Sequence, residues 1–172
     1  DEVYGIQDLK DKYEKQASWG LYDTNLFNEA YKRIKKLSAG EDPFNVTLLT
    51  LNTHIPGVRS ENCPKYSSRA SRFLDAIHCT DHDFGVFIQK LEKDGLLVNT
   101  VLVITADHHV FRTRQIKGLF GQQLRDKRIV AAIYSPDTSL PRSIENTATY
   151  DMAPTILDLM GIDHNASFLL GE

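Results

Sequence analysis

The chain has 172 residues, of which 41% are hydrophobic and 25% charged, and its formal net charge is -3. Acidic and basic residues are interspersed, so the basic footprint of a nucleic-acid binder is missing, and the longest apolar runs fall far short of the roughly 20 residues a membrane helix needs. Length and composition suit a single domain, residues 1–172, with a core of its own and no recognisable leader at its start.

Residues 1–22 scatter Tyr4, Ile6, Leu9, Tyr13, Trp19 and Leu21 among charges without the pattern of a strand or long helix, and read as a join to upstream chain; Trp19 is assigned to packing. Asp23 then suits a helix N-cap, and Leu26, Phe27, Ala30, Ile34 and Leu37 recur at helical spacing until Gly40, predicting a helix over about 23–38. After Pro43, residues 45–51 form a near-continuous apolar, β-branched run, the pattern of a strand buried on both faces, which ends in a polar loop carrying His54. From Ser67 to Asp94, Phe73, Ile77, Phe84, Phe87, Ile88 and Leu91 share one helical stripe, and Gly95 supplies the stop. Residues 99–105 and 129–134 read as two more buried strands. Residues 151–160 read as a helix with Pro154 in its first turn and Gly161 at its end. Helices between buried strands predict an α/β fold with a mostly parallel or mixed sheet covered on both faces.

Cys63 and Cys79 lack the spacing of a structural zinc site; they read as two structural thiols, with a disulfide as the alternative. Two Asn-x-Ser/Thr triplets, at Asn45 and Asn165, are short enough to arise by chance.

In open α/β sheets ligands gather beyond the carboxyl ends of strands. The run at 45–51 delivers His54 there, and the run at 99–105 delivers Asp107, His108 and His109, with Arg112 and Arg114 behind. A carboxylate beside an imidazole suits a divalent ion, and guanidinium groups suit phosphate or sulfate oxygens. His78 and His82, four apart on the long helix, fit a polar face better than a metal site, and Asp81 fits a buried hydrogen bond.

Residues 19–23 (Trp-Gly-Leu-Tyr-Asp), 49–56, 76–81, 99–108 (Asn-Thr strand into Asp-His) and 149–162 occur in that order in the C-terminal part of alkaline phosphatase/sulfatase superfamily proteins. The chain resembles in particular the phosphoglycerol transferase and lipoteichoic acid synthase branch, and most of all the osmoregulated glucan phosphoglycerol transferases. The resemblance implies that Asp107 and His108 are metal ligands and that His54 contacts the phosphate being transferred. Arg112 is a candidate for the phosphoglycerol headgroup. It further implies a divalent metal, Mn²⁺ first with Mg²⁺ or Zn²⁺ as alternatives, a threonine nucleophile, a lipid-linked phosphoglycerol donor and a glycan or glycerophosphate acceptor. The setting it implies is the periplasm or the outer face of the cytoplasmic membrane. No segment here resembles the family's nucleophile region, so the chain is expected to be a C-terminal fragment of a sulfatase-like catalytic domain, inactive alone. A sulfatase would need a C-x-P-x-R type motif, which Cys63-Pro64-Lys65 does not match. With that motif expected upstream, a sulfatase on the same fold is the second reading, and a non-catalytic module binding a glycan or lipid headgroup is the third; a serine hydrolase is excluded by the missing G-x-S-x-G elbow.

Overall fold

A computed structural model describes residues 2–13, 20–60, 62–67, 71–121, 128–136, 139–140, 148–165 and 168. Trp19, and the last two residues of the triplet at Asn165, lie outside them. The chain divides into two compact units, Asp1–Leu96 and Leu97–Glu172.

The first unit is helical. A short helix α1, Ile6–Leu9, runs into a 3-10 turn at Lys10–Lys12, and the two long helices are α2, Asp23–Leu37, and α3, Arg72–Lys93. They pack through Phe27, whose ring lies 5.2 Å from that of Phe87 and 5.9 Å from that of Phe84. Ala30, Phe73, Ala76, Phe87 and Leu91 complete the buried seam. At one end, Asp94 accepts hydrogen bonds from Tyr31 and Lys35, each at 2.6 Å. The Ser71 side chain caps α3 by accepting from the Leu74 amide at 3.3 Å. Gly95, at φ +70°, closes it with the Leu96 amide donating to the Leu91 carbonyl.

Two expectations need correction here. Ile77 is exposed, and the buried stripe of α3 runs instead through Ala76, Cys79 and Asp83. Residues 45–51 form no strand: Leu49 is 70% exposed, and no described residue pairs with this run in a ladder. Apolar, β-branched composition gives a segment its strand propensity, but a strand exists only where a neighbour takes up its N–H and C=O groups.

The second unit contains β1, Leu102–Thr105, then α4, Arg114–Phe120, then β2, Ala131–Tyr134, then α5, Met152–Leu159. β1 and β2 pair antiparallel, with Leu102 opposite Tyr134 and Thr105 opposite Ala131. The parallel, doubly covered sheet is therefore not what the described residues form; both strands are partly solvent-facing. The parallel expectation counted 45–51 as a third strand, and apolar runs report a wish for burial, not the direction of a partner. Pro154 sits buried in the first turn of α5 as expected, and Gly161 ends that helix at φ +65°.

Candidate functional site

β1 empties into the Asp107–His108 loop, where four consecutive strand residues give way to exposed polar ones. Asp107 Oδ1 accepts from the His108 amide at 2.9 Å, and Asp107 Oδ2 lies 3.4 Å from His108 Nε2. His108 Nδ1 is 2.8 Å from the His109 carbonyl oxygen. A carbonyl only accepts, so Nδ1 carries the proton in the neutral ring and Nε2 turns a lone pair toward the carboxylate. A proton on Nε2 would make this contact an ion pair, and a divalent ion could bridge the same two atoms. Two donors each about 2.1 Å from one ion, at a tetrahedral angle, lie about 3.4 Å apart, so the pair fits two positions of one divalent ion. Among the described residues no further His, Cys, Asp or Glu joins them. The Phe111 ring lies tilted against the His108 ring, 4.6 Å between centres. Arg112 is exposed, in a tight turn where the Thr113 amide donates to the Phe111 carbonyl at 2.8 Å. His109 and Arg114 are also exposed; Arg114 opens α4, capped by the Thr113 side chain.

His54 belongs to the first unit and is exposed on a double turn. Its amide donates to the Leu51 carbonyl at 3.0 Å, and its carbonyl accepts from the Gly57 amide at 2.8 Å across a cis Ile55–Pro56 bond, the arrangement of a proline-containing type VI turn. The structure thus brings Asp107, His108 and Arg112 onto one loop and builds His54 on a loop of its own.

The His54 loop rests on a buried polar network that sequence reasoning missed. Asp23, fully buried, is not an N-cap: Tyr22 takes that position, and the Asp23 carboxylate accepts from the amides of Leu51 (2.8 Å) and Asn52 (3.2 Å) and from the Thr80 hydroxyl (2.7 Å). Asn52, also fully buried, returns its Oδ1 to the Asp23 amide at 3.3 Å, and its carbonyl accepts from Val58. Burial pushes the Asp23 carboxyl up, the hydrogen bonds from Leu51, Thr80 and Asn52 pull it down, and the nearby Asp83 charge adds to the rise; the net shift is upward.

Asp81 is exposed, and the buried carboxylate of α3 is Asp83, 9% exposed, which accepts from Thr24 and lies 3.3 Å from His82 Nδ1. His78 instead lies tilted against Tyr66, with ring centres 5.6 Å apart, so the two helix histidines have separate neighbours and no shared ligand. Cys63 and Cys79 are bridged, with Cα atoms 5.6 Å apart, which settles the open alternative for the disulfide. Cys79 Sγ is also 3.7 Å from Asp83 Oδ2. The signal for Asp83 was available: it lies four residues beyond Cys79, on the apolar stripe. No such signal marked Asp23, whose partners are distant in sequence.

A sulfatase family model matches residues 1–162. Phosphoglycerol transferase I of Escherichia fergusonii is 27% identical over 172 residues, covering 95% of this chain but 22% of the relative, and that of Citrobacter koseri matches to the same extent. The chain thus spans about 22% of the length of these curated relatives. A crystal structure of an alkaline phosphatase superfamily protein from Vibrio parahaemolyticus superposes with a TM-score of 0.73 at 28% identity, covering 92% of this chain and 38% of that one. The lipoteichoic acid synthase LtaP of Listeria monocytogenes gives a TM-score of 0.73 at 21% identity, covering 92% and 43%, a likeness of fold.

Proposed function

Since the chain belongs to the sulfatase family, we propose that its 172 residues are the C-terminal portion of one catalytic domain that transfers phosphoglycerol from a lipid-linked donor to a glycan or glycerophosphate hydroxyl. The observation carrying this reading is the Asp107–His108 pair, with its 3.4 Å spacing between Oδ2 and Nε2. The similarity to phosphoglycerol transferase I supports the choice of transferred group. Asp107 Oδ2 and His108 Nε2 would hold a divalent ion, Mn²⁺ first and Mg²⁺ or Zn²⁺ as alternatives. Bound there, the ion would supply positive charge that screens phosphoryl oxygens and lowers the pKa of an attacking hydroxyl. His54 hydrogen-bonds a phosphoryl oxygen of the donor, and Arg112 offers a planar, permanently charged donor to the headgroup. The threonine nucleophile and the remaining ligands come from outside these residues, so the isolated chain binds metal weakly and transfers nothing. The domain faces the periplasm or the cell exterior, tethered by membrane segments elsewhere in the protein.

Sulfate-ester hydrolysis is the second reading, favoured by the family match itself. Mn²⁺ titration by calorimetry tests the metal pair: Asp107→Asn and His108→Ala are each expected to weaken binding at least about tenfold, the lower end of what disturbing even a ligand's supporting shell costs. Unchanged affinity in both variants would remove the pair from the metal site. Assays with a phosphoglycerol donor and with an aryl sulfate, run on the protein containing the whole catalytic domain, separate the two readings.

A further inference from the structure

We infer that Asp23 is the positioning residue for His54: its buried carboxylate fixes the backbone of residues 51 and 52, and through them the turn on which the histidine stands. The inference rests on the proposed phosphate contact of His54 and goes beyond it by naming what aims that side chain.

Asp23 Oδ1 takes both loop amides, from Leu51 at 2.8 Å and from Asn52 at 3.2 Å, while Oδ2 takes the Thr80 hydroxyl of α3 at 2.7 Å and shares the Asn52 amide at 3.4 Å. One side chain therefore joins the start of α2, the middle of α3 and the entrance of the His54 turn. The exit is fixed through the same hinge, because the Asn52 carbonyl accepts from the Val58 amide at 2.8 Å and so closes residues 52–58 into a loop with His54 inside it. Asp23 and Asn52 are both fully buried, so water does not compete for these bonds, whereas His54 is exposed. Asp23 touches no substrate position in this account; it acts through the loop.

The geometry separates charge from acceptor function. In Asp23→Asn, the amide oxygen can keep both loop amides and the new NH₂ can donate to the Thr80 oxygen, which reverses its role. In Asp23→Ala both amides lose their acceptor. The test is NMR on the full chain. In Asp23→Ala, amide hydrogen exchange at Leu51 and Asn52 is expected to accelerate at least about tenfold, as for local opening after loss of bonds to a charged acceptor. The His54 ring resonances should shift while the Phe87 and Leu91 amides in α3 keep their protection. Asp23→Asn should restore exchange and ring resonances to near the unmodified values. Wild-type exchange at both amides in Asp23→Ala, or unmoved His54 resonances, overturns the inference, as does an Asn variant as perturbed as the Ala variant.

Should Asp23→Ala not fold, the unmodified chain decides: the Leu51 and Asn52 amide proton shifts must titrate together with the Asp23 carboxyl carbon, and shifts independent of that carboxyl overturn the inference. Titration of the unmodified chain with glycerol 1-phosphate, read at the His54 ring, tests the underlying reading separately. No ring response there withdraws the phosphate contact, while the exchange results still report whether Asp23 holds the loop.

Discussion

Gly57 is where the His54 loop has least room. Its φ is +93°, and a Cβ there would lie 2.7 Å from both the Arg72 carbonyl oxygen and the Phe73 Cα. These are backbone atoms at the start of α3 and cannot swing aside as a flexible side-chain tip would. Gly57→Ala therefore combines a disfavoured backbone conformation with overpacking, and is expected to destabilise by about 2–4 kcal/mol in urea unfolding; a loss within the ordinary surface range of about 0.5 kcal/mol would contradict the close approach. At this scale, legibility followed sequence distance. Asp107 and His108 stood out because an apolar run stops at them, and they are neighbours in space because they are neighbours in the chain. Asp23 was misread as a cap because capping logic looks a few residues ahead, while its acceptor geometry is satisfied by Leu51, Asn52 and Thr80.

Among elements, α2 also holds the segment before it. The Glu29 side chain, 7% exposed, accepts from Lys12 (2.6 Å), Tyr13 (2.6 Å) and Lys32 (2.8 Å), tying the 3-10 turn after α1 to α2. Burial pushes the Glu29 carboxyl up, but its hydrogen bonds to Lys12, Lys32 and Tyr13 outweigh that and bring it from the ordinary 4.5 down to about 2. A carboxyl depressed by folding contributes stability that is present above 4.5 and lost as pH falls toward 2. Asp23 has the opposite sign: its upward shift means that acidification through its folded-state value favours the native chain. Glu29→Gln is thus expected to lower stability at pH 6 and to flatten the decline between pH 4.5 and 2, measured by urea unfolding at several pH values; an acid decline as steep as in the unmodified chain would rule Glu29 out as its source. Both long helices were readable from periodicity because their packing partner is the other helix, nearby in the same unit. The strands shrank to Leu102–Thr105 and Ala131–Tyr134, and residues 45–51 paired with nothing described, because a ladder is a property of two segments and a sequence pattern reports one.

For the molecule as a whole, the family was legible in order and spacing of motifs, whereas sheet direction was not. What propensity could not supply to the first unit, a covalent bond does: Cys63–Cys79 closes a separation of 16 residues between the loop region and α3. Reduction, or Cys63→Ser, is expected to remove about 3 kcal/mol, the entropy of closing a loop of roughly that length in the unfolded chain; a midpoint in urea unchanged by a dithiol reductant would show that the bridge adds nothing. Together with Asp23 and Gly57, this bond makes α3 a common support for the His54 loop and the segment after it: at the Thr80 hydroxyl, at the Arg72–Phe73 backbone and, through Cys63, at Cys79. In mechanical terms the exposed histidine is an arm of α3 rather than a free loop tip. Its backbone is therefore referenced to the 22 residues of α3 and not only to its own neighbours in the chain.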